Sequence, residues 1–225
     1  MKLSPETIQI LKNFASINEN IYIPAGNVIR VRTVQKNVFA EATIKETFES
    51  PVCLYNLNEF LSVMNIGADG NISIKKNHLV IEWGSSKLTY NFADTMIMKM
   101  AIETAEKKVT MPEAEIKFEL SAEMLAAIHK AANILKAQYI SIYSNEGTIA
   151  IRTYDKDDVN SNSYQIDTGA TTTDEFNMLL GIENFKLLAG SYDVSITSSN
   201  ISQFAKKDGD VTYYIAMDPF STFEK

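Results

Sequence analysis

The side chains that could carry catalysis or bind a metal are few in this sequence, and their spacing matches no reactive arrangement. The chain has two histidines, His78 and His129, and a single cysteine, Cys53. Neither histidine belongs to an HExxH motif or another metal-ligand spacing, and the sequence indicates no base beside the thiol. We therefore interpret both histidines as structural and Cys53 as a buried, unreactive thiol, and we predict no catalytic residue, metal site or cofactor.

One acidic run begins like a calcium-binding loop but does not continue as one. After Asp155–Asp158, the next ligand and glycine positions hold Val159 and Asn160, and Ile166 stands where the terminal glutamate belongs. The run is therefore interpreted as a solvated loop. The chain also lacks a Walker phosphate loop and a GxGxxG motif, so nothing in it indicates nucleotide chemistry.

The most informative pattern is an internal repeat whose matching segments keep their order at offsets of 117 to 123 residues. The matches are Leu3–Leu11 with Leu120–Ile128, Ile29–Thr33 with Ile149–Thr153, Ile72–Ile74 with Val194–Ile196, and Leu88–Tyr90 with Val211–Tyr213. The repeat predicts two similar domains, over residues 1–108 and 115–225, joined by a connector at 109–114.

Each repeat predicts the same order of elements: a helix, strands, a second helix and further strands. Ser4 and Ser121 are suitable N-caps for the two leading helices. Apolar spacing predicts the second helix of the first repeat at Leu57–Met64, with a counterpart at Ile182–Leu188. Alternating strands separated by short turns predict antiparallel sheets covered by two helices per domain, an α+β fold. Ile102–Glu115 is predicted to be extended on the surface.

Composition is that of an ordinary globular protein with an uneven charge. Hydrophobic residues make up 45% and the net charge is -7. Residues 1–112 carry 12 basic and 11 acidic side chains, whereas residues 113–225 carry 9 and 17, so the excess of acid lies in the second half. This balance argues against a tight grip on nucleic acid. No apolar run approaches the ~18 residues of a membrane span, and the single cysteine indicates the cytoplasm.

The opening residues resemble a known family. Met1–Ser4, followed by Leu11–Asn18, is similar to the start of the sliding clamps of T-even-type bacteriophages, and Tyr55–Leu61 is similar to that family's second helix. The resemblance implies two domains of the DNA-clamp fold in each of three subunits, which form a ring with the helices on its inner side. Such a ring encircles duplex DNA without sequence preference, tethers the replicative polymerase and catalyses nothing. An ATP-dependent clamp loader opens and closes it, and the clamp also serves late transcription.

The resemblance also implies which residues face DNA and which bind partners. The expected DNA-facing residues are cations and one histidine on the helices: Lys2, Lys12, His129, Lys130, Lys136 and Lys186. The helix at Leu57–Met64 departs from this pattern because its one charge is Glu59. The arginines Arg30, Arg32 and Arg152 alternate with aliphatic residues, and we expect them on the opposite face of the sheet.

In this family, partners dock a short peptide beside the interdomain connector. The residues expected to form that pocket here are Val109, Met111, Pro112, Met217, Pro219 and Phe220.

Two alternative functions stay open at this point. One is a duplicated non-catalytic scaffold, such as a phage structural component, that encloses no DNA. The other is an enzyme of unrecognised type with its site between the repeats. The location implied by the resemblance is the cytoplasm of an infected bacterial host.

Overall fold

The computed structural model describes residues 1–67, 70–158 and 160–224, and the chain divides into two compact units, Met1–Val109 and Thr110–Lys225. Val159, one of the residues that argue against a calcium loop, lies outside the described residues. Both units combine helices with antiparallel strands, so the predicted α+β class is confirmed. No helix formed by the described residues is both long enough and apolar enough to cross a membrane.

The described part of the first unit contains three helices and seven strands. The helices are α1 (Pro5–Ile17), α2 (Leu57–Ile66) and α3 (Lys99–Glu106). The strands are β1 (Ile21–Ile23), β2 (Gly26–Arg32), β3 (Val38–Phe48), β4 (Val52–Leu54), β5 (Asn71–Ile74), β6 (His78–Trp83) and β7 (Ser86–Asn91). Within this unit β1 pairs with β4, β2 with β3, and β6 with both β5 and β7, all antiparallel.

Helix α1 begins where the sequence predicts, because three side chains stabilise its first turn. Ser4 is the N-cap and its hydroxyl accepts a hydrogen bond from the backbone N–H of Thr7, while Pro5 occupies the first helical position. Glu46 of β3 accepts hydrogen bonds from the Ser4 N–H and the Thr7 hydroxyl. Burial acts to raise the pKa of Glu46, but these hydrogen bonds outweigh it and hold the pKa below the ordinary 4.5. The carboxylate thus fixes α1 on β3.

Helix α3 is the largest difference from the sequence prediction in this unit. The extended segment predicted over Ile102–Glu115 is wrong for residues 102–106, which form the end of α3. Two arginines of β2 dock the helix: the Arg30 Nη1 donates to the Ala105 carbonyl at 2.6 Å, and the Arg32 Nη2 lies 3.2 Å from the Glu103 carboxylate. Strand alternation places these arginines on the face of β2 opposite to α1, as predicted.

The second unit has one α-helix and nine strands among its described residues. The helix is α4 (Ala122–Leu135). The strands are β8 (Ile116–Leu120), β9 (Tyr139–Asn145), β10 (Thr148–Tyr154), β11 (Tyr164–Thr171), β12 (Glu175–Gly181), β13 (Tyr192–Ile196), β14 (Ile201–Lys206), β15 (Val211–Ala216) and β16 (Thr222–Glu224). They form two antiparallel arrays in the orders β11-β10-β9-β12-β16 and β15-β14-β13-β8.

The second helix predicted for this unit at Ile182–Leu188 is wrong, because only a 3-10 turn, Ile182–Asn184, forms there. Two buried tyrosine hydroxyls instead bond to the backbone at Leu188. The Tyr192 hydroxyl donates to the Leu188 carbonyl at 2.6 Å, and the Leu188 N–H donates to the Tyr213 hydroxyl at 3.3 Å. Burial raises the pKa of both tyrosines far above the ordinary value, so both hydroxyls keep their protons.

Candidate functional site

Helices α1 and α4 present similar polar surfaces to solvent in their respective units. Each is capped by a serine and carries a glutamate in its first turn. Beyond that turn, the exposed side chains of α1 are Gln9, Lys12 and Ser16, and those of α4 are Ala126, Lys130, Asn133 and Ile134. Each exposed face therefore carries one lysine and no carboxylate past the first turn, a surface that attracts phosphate weakly and without sequence preference.

The remaining predicted DNA-facing residues lie at the helix ends or beyond them. Lys2 is exposed two residues before the α1 cap. Lys136 is exposed and forms the C-cap of α4 in the left-handed region, with φ 54°. Lys186 is half-buried and follows the 3-10 turn, so it is not carried by the helix predicted there. In the second unit the fold brings Lys186 near α4, because the adjacent Phe185 packs on His129.

His129 differs from the lysine with which the repeat aligns it. Its ring is half-buried and its centroid lies 5.3 Å from that of Phe185. Burial lowers the pKa of His129 below the ordinary 6.5. The imidazole is therefore neutral at pH 7 and lacks the charge that Lys12 carries in α1.

Helix α2 offers no cation, in agreement with the sequence. Its exposed residues after the Asn56 cap are Asn58, Glu59, Ser62, Asn65 and Ile66. The Tyr90 hydroxyl lies 3.3 Å from the Asn56 carbonyl and 3.4 Å from the Glu59 carboxylate. Burial, and secondarily the Glu59 charge, raises the pKa of Tyr90 to about 12, so this phenol donates a proton and stays neutral.

The expected partner-pocket residues differ in exposure. Val109 and Met111 are partly exposed and Pro112 is exposed. Met217 is buried in the second unit, whereas Pro219 and Phe220 are exposed, with 75% of Phe220 open to solvent. Met217 therefore contributes to the core, and the exposed apolar surface at this end of the chain comes from Pro219 and Phe220.

Three residues to which the sequence analysis gave no role at the site position the segment around Phe220. The Lys156 ammonium lies 3.1 Å from the Asp218 carboxylate, 4.1 Å from the centre of the Tyr139 ring and 4.9 Å from that of Phe220. The ion pair with Asp218 and the faces of the Tyr139 and Phe220 rings thus hold Lys156 against the turn that contains Asp218. The Asp218 N–H also donates a hydrogen bond to the Leu179 carbonyl of β12. No local signal reveals this cluster, because Lys156 and Asp218 are 62 residues apart and Lys156 lies in an acidic run.

Cys53 is buried beside a cavity of about 760 Å³ in the first unit, lined in part by Tyr22, Lys75, Lys76 and Asp94. Burial, and to a smaller degree the Asp94 charge, raises the pKa of the thiol. A thiol with a raised pKa is a poor nucleophile. Within the ranges that the structure describes, no group of three or more His, Cys, Asp or Glu side chains is arranged to hold a metal ion.

The architecture is that of a DNA sliding clamp. Proliferating cellular nuclear antigen from Entamoeba histolytica superposes with a TM-score of 0.66 at 14% identity, over 94% of each chain. The H. pylori beta clamp gives a TM-score of 0.70 at 10% identity, over 98% of this chain and 65% of that one. The chain thus spans about two thirds of this bacterial clamp. At these identities the likeness shows the fold, and it confirms the predicted clamp fold.

Sequence comparison then places the chain within that class. The family model described as DNA polymerase processivity factor matches residues 3–100, and the model described as gp45 sliding clamp, C terminal, matches residues 117–219. The sliding clamp of Escherichia phage RB69 is 31% identical over the whole of both chains, and that of Enterobacteria phage T4 is 27% identical over the same extent. The chain belongs to the sliding-clamp family of DNA polymerase processivity factors. Because these factors are not enzymes, the unrecognised-enzyme alternative is wrong.

Proposed function

We propose that three copies of this chain assemble head to tail into a ring that encircles duplex DNA and tethers the replicative polymerase. In this proposal an ATP-dependent clamp loader opens the ring, which works in the cytoplasm of an infected bacterial host and also serves late transcription. The relatives that carry the name sliding clamp come from phages RB69, KVP40 and T4, which supports the phage setting.

The observation that carries this proposal is the matched polar surface of α1 and α4. A chain with net charge -7 nevertheless keeps carboxylates off the exposed faces of these two helices after their first turns. Lys12 and Lys130 supply one exposed cation to each face. Such sparse cations attract phosphates without reading bases, and salt weakens the attraction, so a duplex could move past them. The proposed DNA-facing set adds Lys2, Lys136 and Lys186 as charges and His129 as a neutral contact.

Closure of the ring requires each unit to have a strand edge with which a strand of another copy can pair. Strand β7 lies at one edge of its sheet, and β11 lies at one edge of the five-stranded array. Neither strand contains proline, so each can offer backbone hydrogen-bonding groups to another strand. We assign β7 of one copy to pair with β11 of the next. The excess of acid in residues 113–225 over residues 1–112 favours such a head-to-tail contact over a contact between like units.

The partner site in this proposal consists of Val109, Met111 and Pro112 on the connector with Pro219 and Phe220 near the C-terminal end, and Met217 supports it from the core. Exposed aromatic and proline side chains suit an apolar peptide anchor. Lys156, Asp218 and Tyr139 hold the turn that presents Phe220, so a peptide would meet an ordered surface.

A measurement of solution mass together with a low-resolution image tests this function. A trimer with an open centre, and polymerase processivity that rises only when the loader and ATP are present, are the expected results. A compact monomer, or an assembly with protein in its centre, would contradict the ring and favour a scaffold that encloses no DNA.

A further inference from the structure

The repeat places an arginine at the same position in both units, but the two copies have different surroundings. Ile29–Thr33 corresponds to Ile149–Thr153, so Arg32 of β2 corresponds to Arg152 of β10. In each strand the neighbouring aliphatic residue is buried on the opposite face of the sheet. The Nε of both arginines is buried and has no hydrogen-bond partner among the described residues.

In the first unit a helix of the same chain covers this arginine. Helix α3 packs on β1 and β2, and Glu103 lies 3.2 Å from the Arg32 Nη2. Ala101 and Ala105, which are 6% and 3% exposed, are among the buried residues of α3. The small alanine side chains allow the helix to lie close to the strands, and Glu103 supplies one carboxylate contact to the Arg32 guanidinium.

In the second unit the corresponding arginine faces a groove. The Arg152 guanidinium carbon lies 4.3 Å from the centre of the Tyr154 ring and 5.1 Å from that of Tyr143, so two aromatic rings hold it. No carboxylate among residues 110–158 and 160–224 pairs with it. The groove has a volume of about 390 Å³, and its lining includes Tyr143, Asn177 and Thr222. Strand β16 forms one wall of the groove by pairing with β12.

We propose that this groove, which we call the Arg152 groove, binds a helical segment of a partner protein and that a carboxylate of that segment pairs with Arg152. In the first unit a helix covers this strand position and Glu103 lies beside Arg32, although the helix is also docked by Arg30, whose counterpart in the second unit is Ala150. Guanidinium groups pair with carboxylates in a planar, two-pronged geometry, and the flanking tyrosines already orient Arg152 for it.

Two glutamates in the groove limit the charges that the partner segment can carry. Glu175 and Glu224 line the same groove, and Glu175 accepts a hydrogen bond from the Ser144 hydroxyl. A uniformly acidic segment would be repelled by them, so the partner helix must also carry a basic residue. Helix α3 has this composition, with Lys99 four residues before Glu103. The residues that line the Arg152 groove do not include Phe220, although Tyr154, on which Arg152 stacks, lies opposite Tyr139 in the β9–β10 ladder.

A peptide copied from residues 96–108 is a direct probe, because this segment contains the helix that occupies the corresponding face of the first unit. A side-chain lactam on its outward face would hold the helix, since a peptide this short is marginally helical alone. Binding to the full chain is measured by fluorescence anisotropy. We expect saturable binding that Arg152→Gln weakens about tenfold, whereas the control Lys117→Gln, an exposed lysine on β8, leaves it unchanged.

A matched change in the peptide keeps the test valid even if Arg152→Gln perturbs folding. The peptide with Glu103→Gln should bind the unaltered chain about tenfold more weakly than the original peptide does. The two peptides should bind the Arg152→Gln chain with equal affinity, because the carboxylate–guanidinium pair is already lost. Absence of saturable binding, or equal affinity of the two peptides, would overturn the proposal. If Arg152→Gln instead reduces the mass of the assembly in solution, the groove is a contact between copies of this chain and the partner assignment is wrong.

Discussion

Replacing Lys12 and Lys130 by glutamine tests the proposed DNA-facing surface most directly. Each chain loses one exposed cation from α1 and one from α4, and three chains in the proposed ring lose six. Each phosphate that a protein neutralises contributes about 0.9 to the slope of log affinity against log salt concentration. Six full contacts would therefore account for about 5 units of slope. This figure is an upper bound, because exposed lysine side chains contact a moving duplex only intermittently.

The assay measures duplex binding by the assembled clamp over a range of salt concentrations, together with retention on nicked circular DNA after loading. The matched control replaces Lys36, in the β2–β3 turn, and Lys117, on β8, by glutamine, which removes the same charge from each unit away from the helices. We expect a shallower salt dependence and poorer retention only for the Lys12 and Lys130 variant, with its trimer intact. Equal slopes for the two double variants would refute the assignment of α1 and α4 to the DNA.

Three further predictions concern single residues. Glu46→Gln should destabilise the fold by about 1 kcal/mol, because an amide replaces a carboxylate that accepts two hydrogen bonds at the α1 N-terminus. Since the folded pKa of Glu46 lies below 4.5, the stabilisation by its carboxylate is present above pH 4.5 and is lost as the pH falls through the folded pKa. The stability of the Glu46→Gln variant should therefore fall less on acidification than that of the unaltered chain. The same dependence of stability on pH in both proteins would contradict the role of Glu46. Cys53 should react with a thiol reagent far more slowly in the native chain than in urea, because burial raises its pKa; equal rates would contradict its burial. Lys156→Met should speed amide hydrogen exchange at Phe220, because the ion pair to Asp218 is lost, and exchange as slow as in the unaltered chain would show that the turn does not need Lys156.

The helices that sequence predicted correctly are those with local signals. Ser4 caps α1, Ser121 caps α4, and Asn56 caps α2, and each helix continues with apolar residues at helical spacing. Helix α3 lacks such signals, because its cap makes no side-chain hydrogen bond and its buried residues are small, for example Ala101. Its main anchors are on β2, about 70 residues earlier in the chain, so no local pattern could reveal it.

The candidate site shows the same division between local and long-range information. Exposure of Lys12 and Lys130 follows from the helical periodicity of α1 and α4, so sequence was sufficient to predict it. The neutrality of His129 depends on Phe185, which lies in a segment whose helix was predicted wrongly. Sequence periodicity describes one element at a time, whereas the charge of a side chain depends on every element packed against it.

Because Arg30 and Arg32 both contact α3, the position of this helix depends on the register of the β2–β3 hairpin. In the β2–β3 ladder Arg30 lies opposite Glu41 and Arg32 opposite Phe39. A slip of β2 by one residue would turn both guanidiniums toward the core and remove the groups that receive Glu103 and the Ala105 carbonyl. Docking of α3 therefore requires the native β2–β3 register, because only that register presents both guanidiniums to the helix.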